Sequence, residues 1–120
     1  MTGRNAFSSV SRLKKPAQFQ QVFAAPIKSS DAYFTLLAKV TEQRQPRLGL
    51  AISKKAARLA VQRNRLKRAI RESFRHEQLR LMNLDIVVMA RKDAVQATST
   101  ELRESLRRHW HRLRKRCKSS

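Results

Sequence analysis

Residues 60–74 read Ala60-Val61-Gln62-Arg63-Asn64-Arg65-Leu66-Lys67-Arg68-Ala69-Ile70-Arg71-Glu72-Ser73-Phe74. At about 100° per residue, Leu66, Ala69, Ile70, Ser73 and Phe74 fall in one sector of a helix. Asn64, Lys67, Arg68, Arg71 and Arg75 fall in the opposite sector, with Arg65 at its border. The spacing predicts a helix from about Val61 to Leu81 with a core face and a cationic comb. Before it, Leu48, Leu50 and Ile52 alternate with Gly49, Ala51 and Ser53. After it, Asp85 to Arg91 reads as a buried strand. A strand, a helix and a strand need a crossover, so these two strands are expected to be parallel. General chirality favours a right-handed one.

Further out, Tyr33 to Val40 also alternates. Phe34, Leu36, Ala38 and Val40 face one way; Tyr33, Thr35, Leu37 and Lys39 face the other. With Thr41 to Pro46 as a polar turn, this run and Leu48 to Ile52 are expected to pair as an antiparallel hairpin. Pro16 suits a first helical turn. Phe19, Val22 and Phe23 follow as one apolar stripe, and Pro26 ends that short helix. Thr98 with Glu101 is a capping-box pattern. Behind it, Leu102, Leu106, Trp110 and Leu113 mark a closing helix. The order is α-β-β-α-β-α, an α+β fold with a small sheet and three helices.

The chain has 120 residues, room for a single domain over 1–120. The ends at 1–10 and 115–120 have little pattern and are expected to be flexible. Lys and Arg number 28 against 8 Asp and Glu, a formal net charge of +20. Such self-repulsion suits a protein neutralised by a polyanion and ill suits a small-molecule enzyme. Hydrophobic residues make up 41%, enough for a modest core, which argues against a wholly disordered tail. The longest apolar run, Ile86 to Ala90, is far short of the ~20 residues of a membrane span. Met1 to Val10 lacks an apolar signal-peptide region. The single cysteine, Cys117, excludes an intramolecular disulfide and a multi-cysteine zinc site. A reduced, cytoplasmic chain is expected.

Charge is densest from Arg58 to Arg75, where seven basic residues face Glu72 alone. Arginine fits phosphate with two hydrogen bonds. Several on one helix face, about 5–6 Å apart, can follow a nucleic-acid backbone. Asn64 adds a donor and an acceptor for a sugar or base edge. The plain alternative is a solvated basic face, but few carboxylates lie nearby to neutralise this one.

This helix resembles the RNR helix of the bacterial ribonuclease P protein family. The spacing Arg63-Asn64-Arg65-x-Lys67-Arg68-x-x-Arg71 is intact. Arg47-Leu48-Gly49-Leu50-Ala51-Ile52-Ser53-Lys54-Lys55 is similar to that family's strand leading into a Lys-Lys pair. Arg12-Leu13 and Phe19-Gln20-Gln21-Val22-Phe23 resemble its first helix, and Asp85 to Lys92 its last strand. The likeness runs in order from about Arg12 to Leu113. One departure is local: Ala56-Ala57-Arg58 stands where many members have a Gly.

The resemblance implies a mixed sheet in α-β-β-(β)-α-β-α order with a left-handed β-α-β crossover, similar to a domain of a small-subunit ribosomal protein. On handedness we follow the family over the general rule. It implies an endoribonuclease whose protein subunit pairs with a catalytic RNA, one protein per RNA, and removes the 5′ leader of precursor tRNA. The RNA holds the Mg²⁺; no organic cofactor is implied. Arg63, Asn64, Arg65, Lys67, Arg68 and Arg71 would bind the catalytic RNA. A cleft between the first helix and the sheet would bind the leader through Phe19, Phe23, Lys14, Lys15, Thr35, Leu37, Ser53, Lys54 and Lys55. Phe19 and Phe23 keep two readings, core packing or a platform for unpaired bases. Tyr33, by alternation, shares a face with Thr35 and Leu37.

The residues agree with a polypeptide that carries no chemistry of its own. Two-metal hydrolysis needs clustered carboxylates, and the eight acids are scattered. Glu101 and Glu104 fit a helix start better than a metal. His109 and His111, two apart on a helix, point about 200° apart and cannot share an ion. A structural RNA-binding protein of ribosomal type and a DNA-architectural protein are the competing classes. Neither requires the four ordered blocks.

Overall fold

The computed structural model describes Pro16, Val22 and residues 27–119. Four strands form one sheet: β1 (Ile27–Ser30), β2 (Phe34–Val40), β3 (Arg47–Ala51) and β4 (Leu84–Ala90). Two helices accompany them, α1 (Ala60–Glu77) and α2 (Ser99–Ser119). The spatial order is β1-β2-β4-β3. β4 is antiparallel to β2, with Leu36 opposite Val88, and parallel to β3, with Leu48 opposite Ile86. The parallel pair joined through α1 is as expected.

The antiparallel hairpin of residues 33–40 with 48–52 is not formed. β4 lies between those two strands, and β2 pairs instead with β1, Ile27 opposite Ala38. Alternation assigns a strand its faces and says nothing of its neighbour. β1 is a strand the alternation missed, and it supplies the third strand before α1 that the resemblance allowed. Of the three expected helices, two lie among the described residues; the first falls almost wholly outside them, with Pro16 and Val22 helical.

Both helices cover one sheet face. Phe34, Leu36, Ala38, Leu48, Ile86 and Val88 meet Leu66, Ile70 and Phe74 of α1 and Leu102, Leu106, Trp110 and Leu113 of α2. Every residue of the two predicted helical stripes is buried except Ala69, which is half-buried against the same core. The opposite face is smaller: Leu37 and Val87 pack with Val22, flanked by Ala51 and Met89. Tyr33 does not join it. The Asp31 carboxylate accepts the N–H groups of Tyr33 and Phe34, both at 2.9 Å, turning the backbone before alternation begins. Tyr33 therefore packs against the main core.

α1 ends at Glu77 and continues as a 3-10 turn, Gln78–Arg80, not as α-helix to Leu81. Asn83, at φ 69°, is the one positive-φ residue other than glycine among those described, and it turns the chain into β4. α2 opens with the expected capping box. Thr98 N–H donates to Glu101 Oε1 at 2.8 Å, and Glu101 N–H to Thr98 Oγ1 at 3.1 Å. No helix among the described residues is long and apolar enough to cross a membrane.

Candidate nucleic-acid interface

The β3–α1 connection, Ser53 to Leu59, presents the Lys-Lys pair. Ser53 Oγ accepts the Ala56 N–H at 3.2 Å, and Ser53 O the Ala57 N–H at 3.1 Å. Ala57 is buried beneath the turn. Neither alanine needs positive φ, so this loop does without the glycine common in the resembled family. Gln62 Oε1 accepts the Leu59 N–H at 3.1 Å and satisfies one free amide at the start of α1.

The comb divides into cations that bond back to backbone carbonyls and cations that do not. Arg63 donates to Ala57 O and Arg58 O, both at 2.9 Å, and so holds the loop before the helix. Arg65 donates to Val95 O at 3.3 Å and Ala97 O at 2.6 Å, tying α1 to the 3-10 turn Lys92–Gln96. Asn64, Arg68 and Arg71 are exposed. With Glu72 and Arg75 they line a groove of about 310 Å³. Lys67 is half-buried. Of the six residues expected to bind the catalytic RNA, Asn64, Arg65, Arg68 and Arg71 are exposed, and Arg63 and Arg65 also build the scaffold.

The leader candidates among the described residues fall into two groups. Thr35 and Leu37 lie on the smaller sheet face. Thr35 is half-buried and its hydroxyl pairs with Ser30 Oγ at 2.9 Å. Leu37 is only 7% exposed beside Val22 and Val87. Ser53, Lys54 and Lys55 are exposed beyond the end of β3. Lys14, Lys15, Phe19 and Phe23 lie outside the described residues.

Sequence reasoning missed cations that the topology brings in. Parallel pairing sets the ends of β3 and β4 side by side, so Lys92 joins Lys55 and Arg58 around a groove of about 520 Å³ lined also by Leu59 and Val95. Ligands gather beyond the carboxyl ends of parallel strands, a signal that could have found Lys92. Arg103 and Arg107, four apart on α2, face the comb helix across a further groove.

Away from these surfaces, Asp31 ties the β1–β2 turn to α2. Its Oδ2 accepts Ser105 Oγ at 2.6 Å and lies 3.2 Å from His109 Nε2. Burial opposes ionisation of Asp31, but the Ser105 hydroxyl, the Phe34 and Tyr33 amides and His109 outweigh it and lower the carboxyl to about 2. His109, fully buried, pairs through Nδ1 with Ser29 Oγ at 2.7 Å. Burial lowers its pKa against the pull of Asp31, and Arg112 and Arg108 add to the lowering. Among the described residues no three His, Cys, Asp or Glu side chains gather to hold a metal ion.

A family model described as Ribonuclease P matches residues 7–114. The chain belongs to that family. It is 47% identical over 109 residues to the ribonuclease P protein component of Methylococcus capsulatus, covering 91% of this chain and 85% of that one. With the component of Pseudoalteromonas translucida it shares 40% identity, over 89% of this chain and 76% of that one. The fold matches the solved RNase P protein of Staphylococcus aureus with a TM-score of 0.78 and 34% identity, over 86% of this chain and 94% of that one. The RNase P protein of Thermotoga maritima aligns with a TM-score of 0.75 and 29% identity, over 84% and 96%. The four-stranded α+β arrangement is thus the family's own, and the resemblance carried by the RNR spacing is upheld.

Proposed function

We propose that this chain is the protein partner of a catalytic ribonuclease P RNA, acting in the cytoplasm at one protein per RNA, and that it helps remove the 5′ leader of precursor tRNA. The observation that carries this reading is the outward row Asn64, Arg68 and Arg71 on α1, rooted by the buried Leu66, Ile70 and Phe74 behind it. A rigid cationic row read through backbone phosphates suits a structured RNA. In this reading the Mg²⁺ belongs to the RNA, and the chain contributes binding and orientation.

The leader is assigned to the smaller sheet face and its lysine end. Thr35, Ser53 and Lys54 offer polar contacts there, and Lys14, Lys15, Phe19 and Phe23 are the first-helix candidates. Leu37 lies on that face, packed with Val22 and Val87.

The deciding experiment adds the purified protein to a bacterial ribonuclease P RNA and precursor tRNA at low magnesium. Stimulated cleavage at the mature 5′ end is expected. RNA binding without stimulation would instead favour a purely structural RNA-binding protein.

A further inference from the structure

The groove between α1 and α2, about 740 Å³, shares Arg65 and Arg68 with the RNA surface assigned above and adds a second wall from α2. Its floor is made by Ala69, Ser73 and Leu102. Leu102 is buried in the core, and the Ser73 hydroxyl already accepts the Trp110 indole N–H at 2.7 Å. The floor is therefore apolar in effect. The walls are cationic on both sides, Arg65 and Arg68 from α1 and Arg103 and Arg107 from α2. Of the acids in the lining, Glu72 is paired with Arg75 and His76, while Glu77 lies 3.7 Å from Arg80 through Oε2 and keeps Oε1 buried without a hydrogen-bond partner. Arg68 and Arg107 have no hydrogen-bond or ion-pair partner among the described residues.

An apolar floor between guanidinium walls is poor housing for a continuous duplex, whose backbone would span the rim and leave the floor empty. It fits a single flat base whose phosphates meet the rim. Unstacked RNA bases are commonly held against arginine planes in this way, and the volume lies in the range of small-ligand sites. We propose that the α1–α2 groove seats one unpaired nucleotide of the catalytic RNA, its base over Ala69 and its phosphates on Arg68, Arg103 and Arg107. This rests on the reading of the chain as an RNA partner and extends the RNA surface from one helix to two.

The test measures binding of a bacterial ribonuclease P RNA to the full chain across a salt series. Ala69→Leu fills the groove without changing charge. It should lower affinity about tenfold and leave the salt slope as in the parent. Because Ala69 touches the core, Ser99→Phe serves as a second filler from the exposed start of α2, with folding checked by circular dichroism. Arg103→Ala with Arg107→Ala should flatten the log–log salt slope by about two units. The single tryptophan, Trp110, reports independently: its emission should change on RNA binding in the parent and not in a filled variant. Folded fillers that bind like the parent overturn the proposal. If the arginine pair alone weakens binding, the groove offers phosphate contacts only and no base enters it. If fillers and arginine pair are both silent while Asn64→Ala with Arg71→Ala weakens binding, the groove is idle and the RNA-partner reading stands. If that last pair is silent too, the RNA-partner reading falls with it.

Discussion

Trp110 of α2 donates its indole N–H to Ser73 Oγ of α1 at 2.7 Å, with both residues buried. The same indole meets the Phe74 ring edge-on, centroids 6.0 Å apart. One pair thus sets how the two helices meet and how deep the groove between them lies. Ser73→Ala leaves the indole N–H without a partner in the core. Urea unfolding should show a loss of about 1–3 kcal/mol, with the fold kept.

Arg47 and Asp85 bind side by side on β3 and β4, Nε to Oδ1 at 2.8 Å and a terminal nitrogen to Oδ2 at 2.6 Å. Asp85 is 1% exposed. Removing one partner of a buried pair leaves the other charge stranded, at about 3–5 kcal/mol. Arg47→Met, which strands the buried Asp85 carboxylate, should lose stability on that scale in denaturant unfolding. Arg47→Met with Asp85→Leu should recover most of it.

Arg65 and Arg68 stand three apart, yet they should respond differently. Arg68→Ala should flatten the salt slope of RNA binding by about one unit and leave the melting temperature unchanged. Arg65→Ala should lower the melting temperature as well, because it strips the hydrogen bonds to Val95 O and Ala97 O. Equal melting temperatures for the two variants would deny Arg65 its scaffold role.

Stability should fall with acid in two stages. His109 has a lowered pKa in the fold, so protons favour the unfolded chain. Its contribution is whole above the ordinary histidine value of about 6.5 and declines as pH drops below it. Asp31, held at about 2 against an ordinary 3.8, contributes fully above 3.8 and loses that contribution as pH falls toward 2. Thermal unfolding of His109→Gln should start from a lower melting temperature and show a flatter dependence between about pH 7 and 5. A slope equal to the parent's would place the titrating group elsewhere.

The core face of α1 was legible because Leu66, Ile70, Ser73 and Phe74 repeat at helical spacing and all four are buried. α2 was legible for the same reason, with Thr98 and Glu101 marking its start. β1 was not. Its inward residues are only two, Ile27, half-buried against the main core, and Ser29, whose buried hydroxyl is partnered by His109 and Arg112, eighty and more residues away. No local pattern announces such a contact. The place of β4 was also hidden: Leu84 to Val88 are buried on both faces, which identifies an interior strand without naming the strands beside it. Within the comb, spacing separated outward from core positions. It could not show that Arg63 and Arg65 bend back to loop carbonyls, since those carbonyls are placed by tertiary structure.

The position of β4 in the middle of the sheet has a consequence for the order in which the molecule is completed. Domains form from the amino end as a chain is synthesised, and pairings distant in sequence wait for their loops to close. Before Leu84 emerges, β2 has only β1 beside it and β3 has no strand beside it at all. Residues 60–77 have all emerged by then. The nascent protein therefore displays its most cationic segment while the platform beneath it is still missing its central plank.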